Sequence, residues 1–434
     1  MYNRVSAAAA LRGASTLVAV VAAGVALASP GSVSAAPLLD RVYAFCAQTN
    51  CADGEWPSGP LVGDDKGHIF GTTTGGGGDL HDGVVFELSP KTGGGWKYEV
   101  ICSFGDSKCP EWTNGDLVVD SKGNLYGTTT FGGANQQGTV FELKHGRTGW
   151  TYSVLYSFGS AADHSDGVRP IAGLTYAGQS SRNAYDGTSP LFGVSSDDDH
   201  GNGSVFELVR NGSKWTQTVI HKFDQGSVHN PLAMDAAGNL YGWMFSATTY
   251  QDAFFRLAHD TWKFAVFHQF CQQANCTDGR YPVGRPVIYP DGTIYGVTWF
   301  GGANDKGTLF SLTPARHGYE YEVVYSFCYV ATHCTDGVLP LGLTMDPTNG
   351  SLVGTTSDYL INESSWIPAT IFRYRGRKGE SVLYTFCHLD GSNKCPNGAV
   401  PRDGVIIDSS GKIFGSAEEG GNAKNGGVVY ELFP

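Results

Sequence analysis

No apolar run in this sequence reaches the roughly 20 residues that a bilayer-spanning helix needs. The longest, from about Leu17 to Ala28, falls short, so no membrane span is expected. Charge is scarce at 16% of residues, and cations are the rarer sign, 29 against 41 acids. The formal net charge of −12 gives a surface that repels phosphate backbones and anionic lipid, which excludes a nucleic-acid partner. No segment keeps a helical period. There is no phosphate-binding Walker loop, no zinc-protease helix and no Gly-x-Ser-x-Gly elbow, and with them go the chemistries those motifs serve.

The first residues read as an export signal. Arg4 and Arg12 make a basic start, the apolar run follows, and Val33-Ser34-Ala35 puts small side chains at the cleavage-determining positions. This predicts a signal peptide over residues 1–35, cut after Ala35, and one domain over residues 36–434. The product is expected to be secreted or periplasmic. No cysteine lies near the cut, so lipid attachment there is not expected, nor is an anchor after Pro434. Losing Arg4 and Arg12 takes the charge two units further, to −14.

Glycine is plentiful, with 60 residues, and it recurs in a phrase. The fullest copy is Gly123-Asn124-Leu125-Tyr126-Gly127-Thr128-Thr129-Thr130, then Phe131-Gly132-Gly133, then Gly138-Thr139-Val140-Phe141-Glu142-Leu143. Close copies start at Gly67, Gly292 and Gly411, and weaker ones at Pro190, Gly238 and Gly350. A second phrase, Trp150 to Phe158, alternates aromatic and polar residues and closes on phenylalanine. The closing residues are Phe45, Phe104, Phe158, Phe223, Phe270, Phe327 and Phe386, spaced 47 to 65 residues apart. Seven units of that length, each reading as four short strands A to D, predict an all-β seven-bladed β-propeller of antiparallel blades. Asp40 to Phe45 is a lone strand D, while Gly427 to Phe433 is a strand C with no successor. Their pairing would close the ring and remove two sheet edges.

These phrases resemble the Gloeo/Verruco (GloVer) tandem repeat of secreted bacterial proteins. The resemblance spans nearly all of the predicted mature chain and implies a propeller-like fold and export. It brings no activity and no catalytic residues, so none are carried over. The third, fourth and sixth units depart from the pattern.

Ten cysteines fall into five close pairs: Cys46 with Cys51, Cys102 with Cys109, Cys271 with Cys276, Cys328 with Cys334, and Cys387 with Cys395. Each pair brackets the loop from strand D of one blade to strand A of the next. An even count, local spacing and an export signal predict five disulfides that stiffen loops. Two thiolates per site, without a repeated histidine, fall short of a zinc set.

In a blade the D–A and B–C loops emerge on one face. Trp96, Trp150, Trp215 and Trp262 begin strand D and read as packing residues. The other five, Trp56, Trp112, Trp243, Trp299 and Trp366, all map to the D–A and B–C face. Trp112, Trp243, Trp299 and Trp366, with Tyr281 in the position of Trp56, are the candidate ligand-binding residues. Flat indole faces suit the apolar faces of sugar rings. The competing reading is that these rings fill the space between blades. Loop acids Asp197 and Asp199 are candidate ligands for calcium, a hard cation, with His200 beside them as a candidate acid–base partner. No other cofactor is expected.

Two functions remain open. One is a monomeric binding propeller for a glycan or another envelope or extracellular component. The other is a carbohydrate-active enzyme, a polysaccharide lyase or glycoside hydrolase, on the same face. A hydrolase would draw on Asp197, Asp199 and Glu363. A lyase acting on uronates would want a basic pocket, for which Arg280, Arg285 and Arg402 are placed.

Overall fold

A computed structural model describes residues 38–433, apart from 79–80, 106–108, 110–112, 162, 197–201, 225, 247–250, 330–333, 363–364 and 388–394. Seven four-stranded antiparallel sheets form a seven-bladed propeller, as the repeat predicts. Blade 5 shows the plan: A is Arg280–Ile288, B Ile294–Phe300, C Thr308–Ala315 and D Gly318–Ser326. Strand B is buried at nearly every position and strand D is half-exposed, as expected of an inner and an outer strand.

The ring closes between the two lone strands. Leu38–Ala44 runs antiparallel to Val428–Phe433, with Leu39 opposite Leu432 and Asp40 opposite Glu431. The Phe45 N–H then donates to the Gly427 carbonyl at 3.0 Å. Blade 7 is thus built from both ends of the described chain.

Hydrophobic clusters lie between blades, and the closing phenylalanines are their hubs. Phe45, Phe104, Phe158, Phe270 and Phe327 are wholly buried. Glycine in the middle of strand B has a steric reason: a Cβ on Gly127 would stand 2.6 Å from the Phe141 ring.

Two of the three degenerate units, the third and the sixth, form irregular blades, while the fourth keeps the four-stranded plan. In blade 3 strand A is split into Val168–Pro170 and Thr175–Tyr176. The insertion in blade 6 forms its own hairpin, Tyr359–Asn362 with Ser365–Ile367.

All five expected disulfides are present. Cys46 is bonded to Cys51, Cys102 to Cys109, Cys271 to Cys276, Cys328 to Cys334 and Cys387 to Cys395. No free cysteine remains. Of these residues, Cys46, Cys102, Cys109, Cys328, Cys334 and Cys395 are buried and join the core. A buried or half-buried aspartate holds several D–A loops from within. The Asp53 carboxylate accepts the Ala47 and Gln48 N–H groups and the Tyr43 hydroxyl. Asp166 does the same for Ser160, Ala161 and Tyr156 in a loop that has no cysteine.

Candidate functional site

Strand A is innermost in every blade, and the seven of them surround a central cavity of about 590 Å³. Four residues before the turn that ends strand A, the repeat puts one side chain onto the axis. In five blades it is small or rigid: Pro60, Gly173, Pro231, Gly342 and Gly404. In the other two it is charged, Asp116 in blade 2 and Arg285 in blade 5. Strands A of neighbouring blades crowd together at this level, for a Cβ on Gly173 of blade 3 would stand 2.2 Å from the Cβ of Asp116 of blade 2, and an arginine from blade 5 makes it a constriction.

Arg285 bridges that constriction. It approaches Asp116 at 3.9 Å, donates to Thr175 Oγ1 at 2.6 Å and to the Leu174 carbonyl at 3.2 Å, and also bonds the Leu232 carbonyl. Asp403 of blade 7 borders the same end. Burial and the neighbouring Asp116 push its carboxyl up to about 7, while the Gly59 N–H and Arg402 pull it down. Burial likewise raises Asp116, with Arg285 opposing. Two carboxyl groups thus share the deep end, and Arg285 favours ionisation of Asp116.

The opposite end of the cavity is an aromatic mouth. Phe245 and Tyr281 stack at 5.8 Å, Phe300 meets Tyr281 edge-on at 5.9 Å, and Trp299 is 41% exposed beside them. Tyr281 owes its position to its backbone. It precedes a proline with φ of +55°, a conformation that side chains rarely adopt, and Trp56, Arg169 and Leu339 repeat it in other blades. Each of these donates its N–H to the preceding blade: Trp56 to Gly426 at 2.9 Å, Arg169 to Gln137 at 2.7 Å, Leu339 to Lys306 at 2.8 Å, and Tyr281 to the Asp252 carboxylate. The anchored backbone turns the side chain outward. Burial of Asp252 raises its carboxyl to about 6 against the pull of that N–H and of Arg280.

The expected residues divide. Trp299 and Tyr281 stand exposed at the mouth. Trp243 does not. It borders the cavity, yet only 2% of it is exposed, and its Nε1 donates to the Gly284 carbonyl of blade 5 at 2.8 Å. It occupies the strand B position from which Thr128 and Thr355 tie to Ala172 and Asp403 of their next blades. Gly296 leaves the space its six-membered ring fills. Trp243 is therefore a blade-to-blade strut, a correction to its expected projection from the face. Trp366, 39% exposed on the blade 6 hairpin, lines a separate cleft of about 170 Å³ with Arg402 and Glu419. Trp112, Asp197, Asp199, His200 and Glu363 lie outside the described residues.

The arginines do not make a basic pocket. Arg280 pairs with Asp305 at 3.0 Å, Arg402 with Glu418, and Arg285 with Asp116. The charged pair on the axis was missed in the sequence, although superposing the repeats singles out Asp116 and Arg285 as the two charged residues at their position.

The pattern of the chain is matched by a known repeat. The model described as Gloeobacter/Verrucomicrobia repeat matches residues 33–190 and 181–430. No curated protein matches the sequence. Among solved structures, an oligogalacturonate lyase in complex with manganese superposes with a TM-score of 0.55 at 10% identity, over 92% of this chain and 96% of that one. A putative 6-phosphogluconolactonase from Bacteroides uniformis superposes with a TM-score of 0.50 at 14% identity, over 84% and 98%. At such identities the likeness is one of fold. Matched from end to end of its described blades, the chain is a member of the Gloeobacter/Verrucomicrobia repeat family.

Proposed function

We propose that this propeller binds a glycan at the mouth of its central cavity. The observation that carries the reading is the cluster of exposed Tyr281 and Trp299 with half-buried Phe245, opening onto a cavity of about 590 Å³. Ligand sites are typically concave, largely apolar and of roughly 300–1,000 Å³, with a few convergent polar groups. The aromatic rings supply stacking faces, and Asp252, Asp403 and Arg402 supply the polar contacts. Carbohydrate names among proteins of like fold agree with this reading without carrying it. Five disulfides suit an oxidising, extracellular or periplasmic setting, and among the described residues no helix is long and apolar enough to cross a membrane.

A second reading, a carbohydrate-active enzyme at the same site, is favoured by one observation. Asp116 and Asp403 are two carboxyl groups whose surroundings differ, and such pairs divide acid and base roles. A polysaccharide panel tests both. Affinity electrophoresis is expected to show retardation by at least one polysaccharide, lost in Trp299→Ala. Release of reducing ends or unsaturated products that is lost in Asp403→Asn would establish the enzyme. Retention of binding in Trp299→Ala and Tyr281→Ala together would remove the mouth as the site.

A further inference from the structure

The central channel is blind. Arg182 lies on the long loop between strands A and B of blade 3, on the face away from the mouth. One Nη donates to the Ile407 carbonyl of blade 7 at 3.0 Å, and the other bonds the Met345 carbonyl of blade 6. In a ring of seven, blades 6 and 7 stand opposite blade 3, so this side chain crosses the opening. Ser180 of the same loop donates to the Met234 carbonyl of blade 4 at 2.6 Å. Arg285 crosses one level higher, from blade 5 to blades 2 and 3. Among the described residues, the cavity therefore opens only at the aromatic mouth.

We propose that the cavity takes its ligand end-on: the terminal ring of a neutral or amino saccharide passes Tyr281 and Trp299 and donates hydroxyl or ammonium protons to Asp403 and Asp116 at the closed end. This rests on the glycan reading above and narrows it. An internal stretch of a polysaccharide leaves a binding site in two directions, and a blind pocket offers one. The sign of the closed end sets the chemistry. Its cations are already engaged, Arg285 by Asp116, the Thr175 hydroxyl and two carbonyls and Arg402 by Glu418, so among the described residues a terminal uronate would meet two carboxyl groups and no free cation. Hydroxyl and ammonium groups are donors, which is what carboxylates accept. The elevated Asp403 carboxyl fits an acceptor that also gives up a proton to a sugar oxygen when neutral.

Calorimetric titration with linear maltose-series, chitosan and galacturonate oligomers, and with cyclodextrins as ring-closed glucose oligomers, tests this. At least one of the first two series is expected to bind with an affinity that stops rising after the first few units. Cyclodextrins, having no end, are expected not to bind, and galacturonates to bind about tenfold or more weakly. Asp403→Asn and Asp116→Asn should each lower the affinity for the binding series about tenfold, with Asp403→Asn unfolding no earlier than the parent. Affinity that climbs with chain length, or cyclodextrins that bind as tightly as linear oligomers, with Trp299→Ala still abolishing binding, would overturn end-on entry and leave a glycan site at the mouth. Unchanged affinity in both Asp variants would overturn the closed-end contacts. Absence of binding by every series at millimolar concentration would overturn both readings together.

Discussion

Two tryptophans one blade apart do opposite work, and the difference is one of position within strand B. Trp243 lies in the blade interface and is covered by blade 5, while Trp299, two residues further along the repeat, stands near the strand's end and meets solvent. Trp243→Ala is expected to lower stability by about 3–5 kcal/mol, because a large buried ring and its hydrogen bond are lost. Trp299→Ala should change it by about 1 kcal/mol or less. Urea denaturation of the two variants separates them, and equal losses would contradict the assignment. Asp403 gives a pH dependence. Its folded-state pKa, near 7, lies above the ordinary carboxylate value, so the folded protein binds more protons than the unfolded chain between about pH 4 and pH 7. Its contribution to stability is therefore full below pH 4 and is lost as the pH rises through 7. Asp403→Asn should match the parent near pH 4 and exceed it by about 1–3 kcal/mol near pH 8, read from thermal unfolding across that range. A parent that loses no stability relative to the variant over this interval would refute the shift. These roles were legible only in part. Both tryptophans map to one face when strand B is read as ending beside them, yet Trp243 sits in the middle of Leu240–Ser246 and only Trp299 is next to the end of its strand. How far along that strand the next blade reaches is a matter of packing between repeats, and no pattern within one repeat reports it.

Several D–A loops are held by two devices, a short disulfide and an inward-facing aspartate, and the blade 2 to blade 3 loop manages with the second alone. There, Asp166 binds the Ser160 and Ala161 N–H groups and the Tyr156 hydroxyl without any cysteine. The crosslinks close only short loops, so the chain entropy they remove is small, about 2 kcal/mol each by the usual loop estimate. Replacing both Cys46 and Cys51 by serine is expected to cost about that much. Asp53→Ala should cost about 3 kcal/mol or more, since it strands two N–H groups and a tyrosine hydroxyl around a wholly buried site. Equilibrium unfolding of the two variants gives the order, and the reverse order would make the disulfide the principal restraint. The cysteine pairing was plain in the sequence because the partners are close neighbours. The aspartate clamp, in the Asp-Gly that follows Cys51, Cys276 and Cys334, was equally present but looked like ordinary turn chemistry.

At the scale of the molecule, blade count and closure were readable because each blade is a local object whose strands, turns and core phenylalanine lie within one repeat. Arg182 was not, since its partners are 163 and 225 residues away and follow from the diameter of the ring. Closure also makes a prediction. Without Leu38–Ala44, the strand Val428–Phe433 would become an edge presenting the now-buried Val428, Val429, Tyr430 and Leu432. Such a truncation should elute as aggregate on gel filtration, and a synthetic peptide of residues 38–45 should restore a soluble monomeric peak. A soluble truncated monomer without the peptide would show that the seventh blade stands on three strands. Blade 7 has one more consequence. Leu38 and Phe433 lie opposite each other at the end of the blade remote from the D–A and B–C loops. A biosensor chip, bead or fluorescent reporter coupled through either residue would sit beneath the Arg182 floor, with the aromatic entrance turned to the solution and free to report on what enters it.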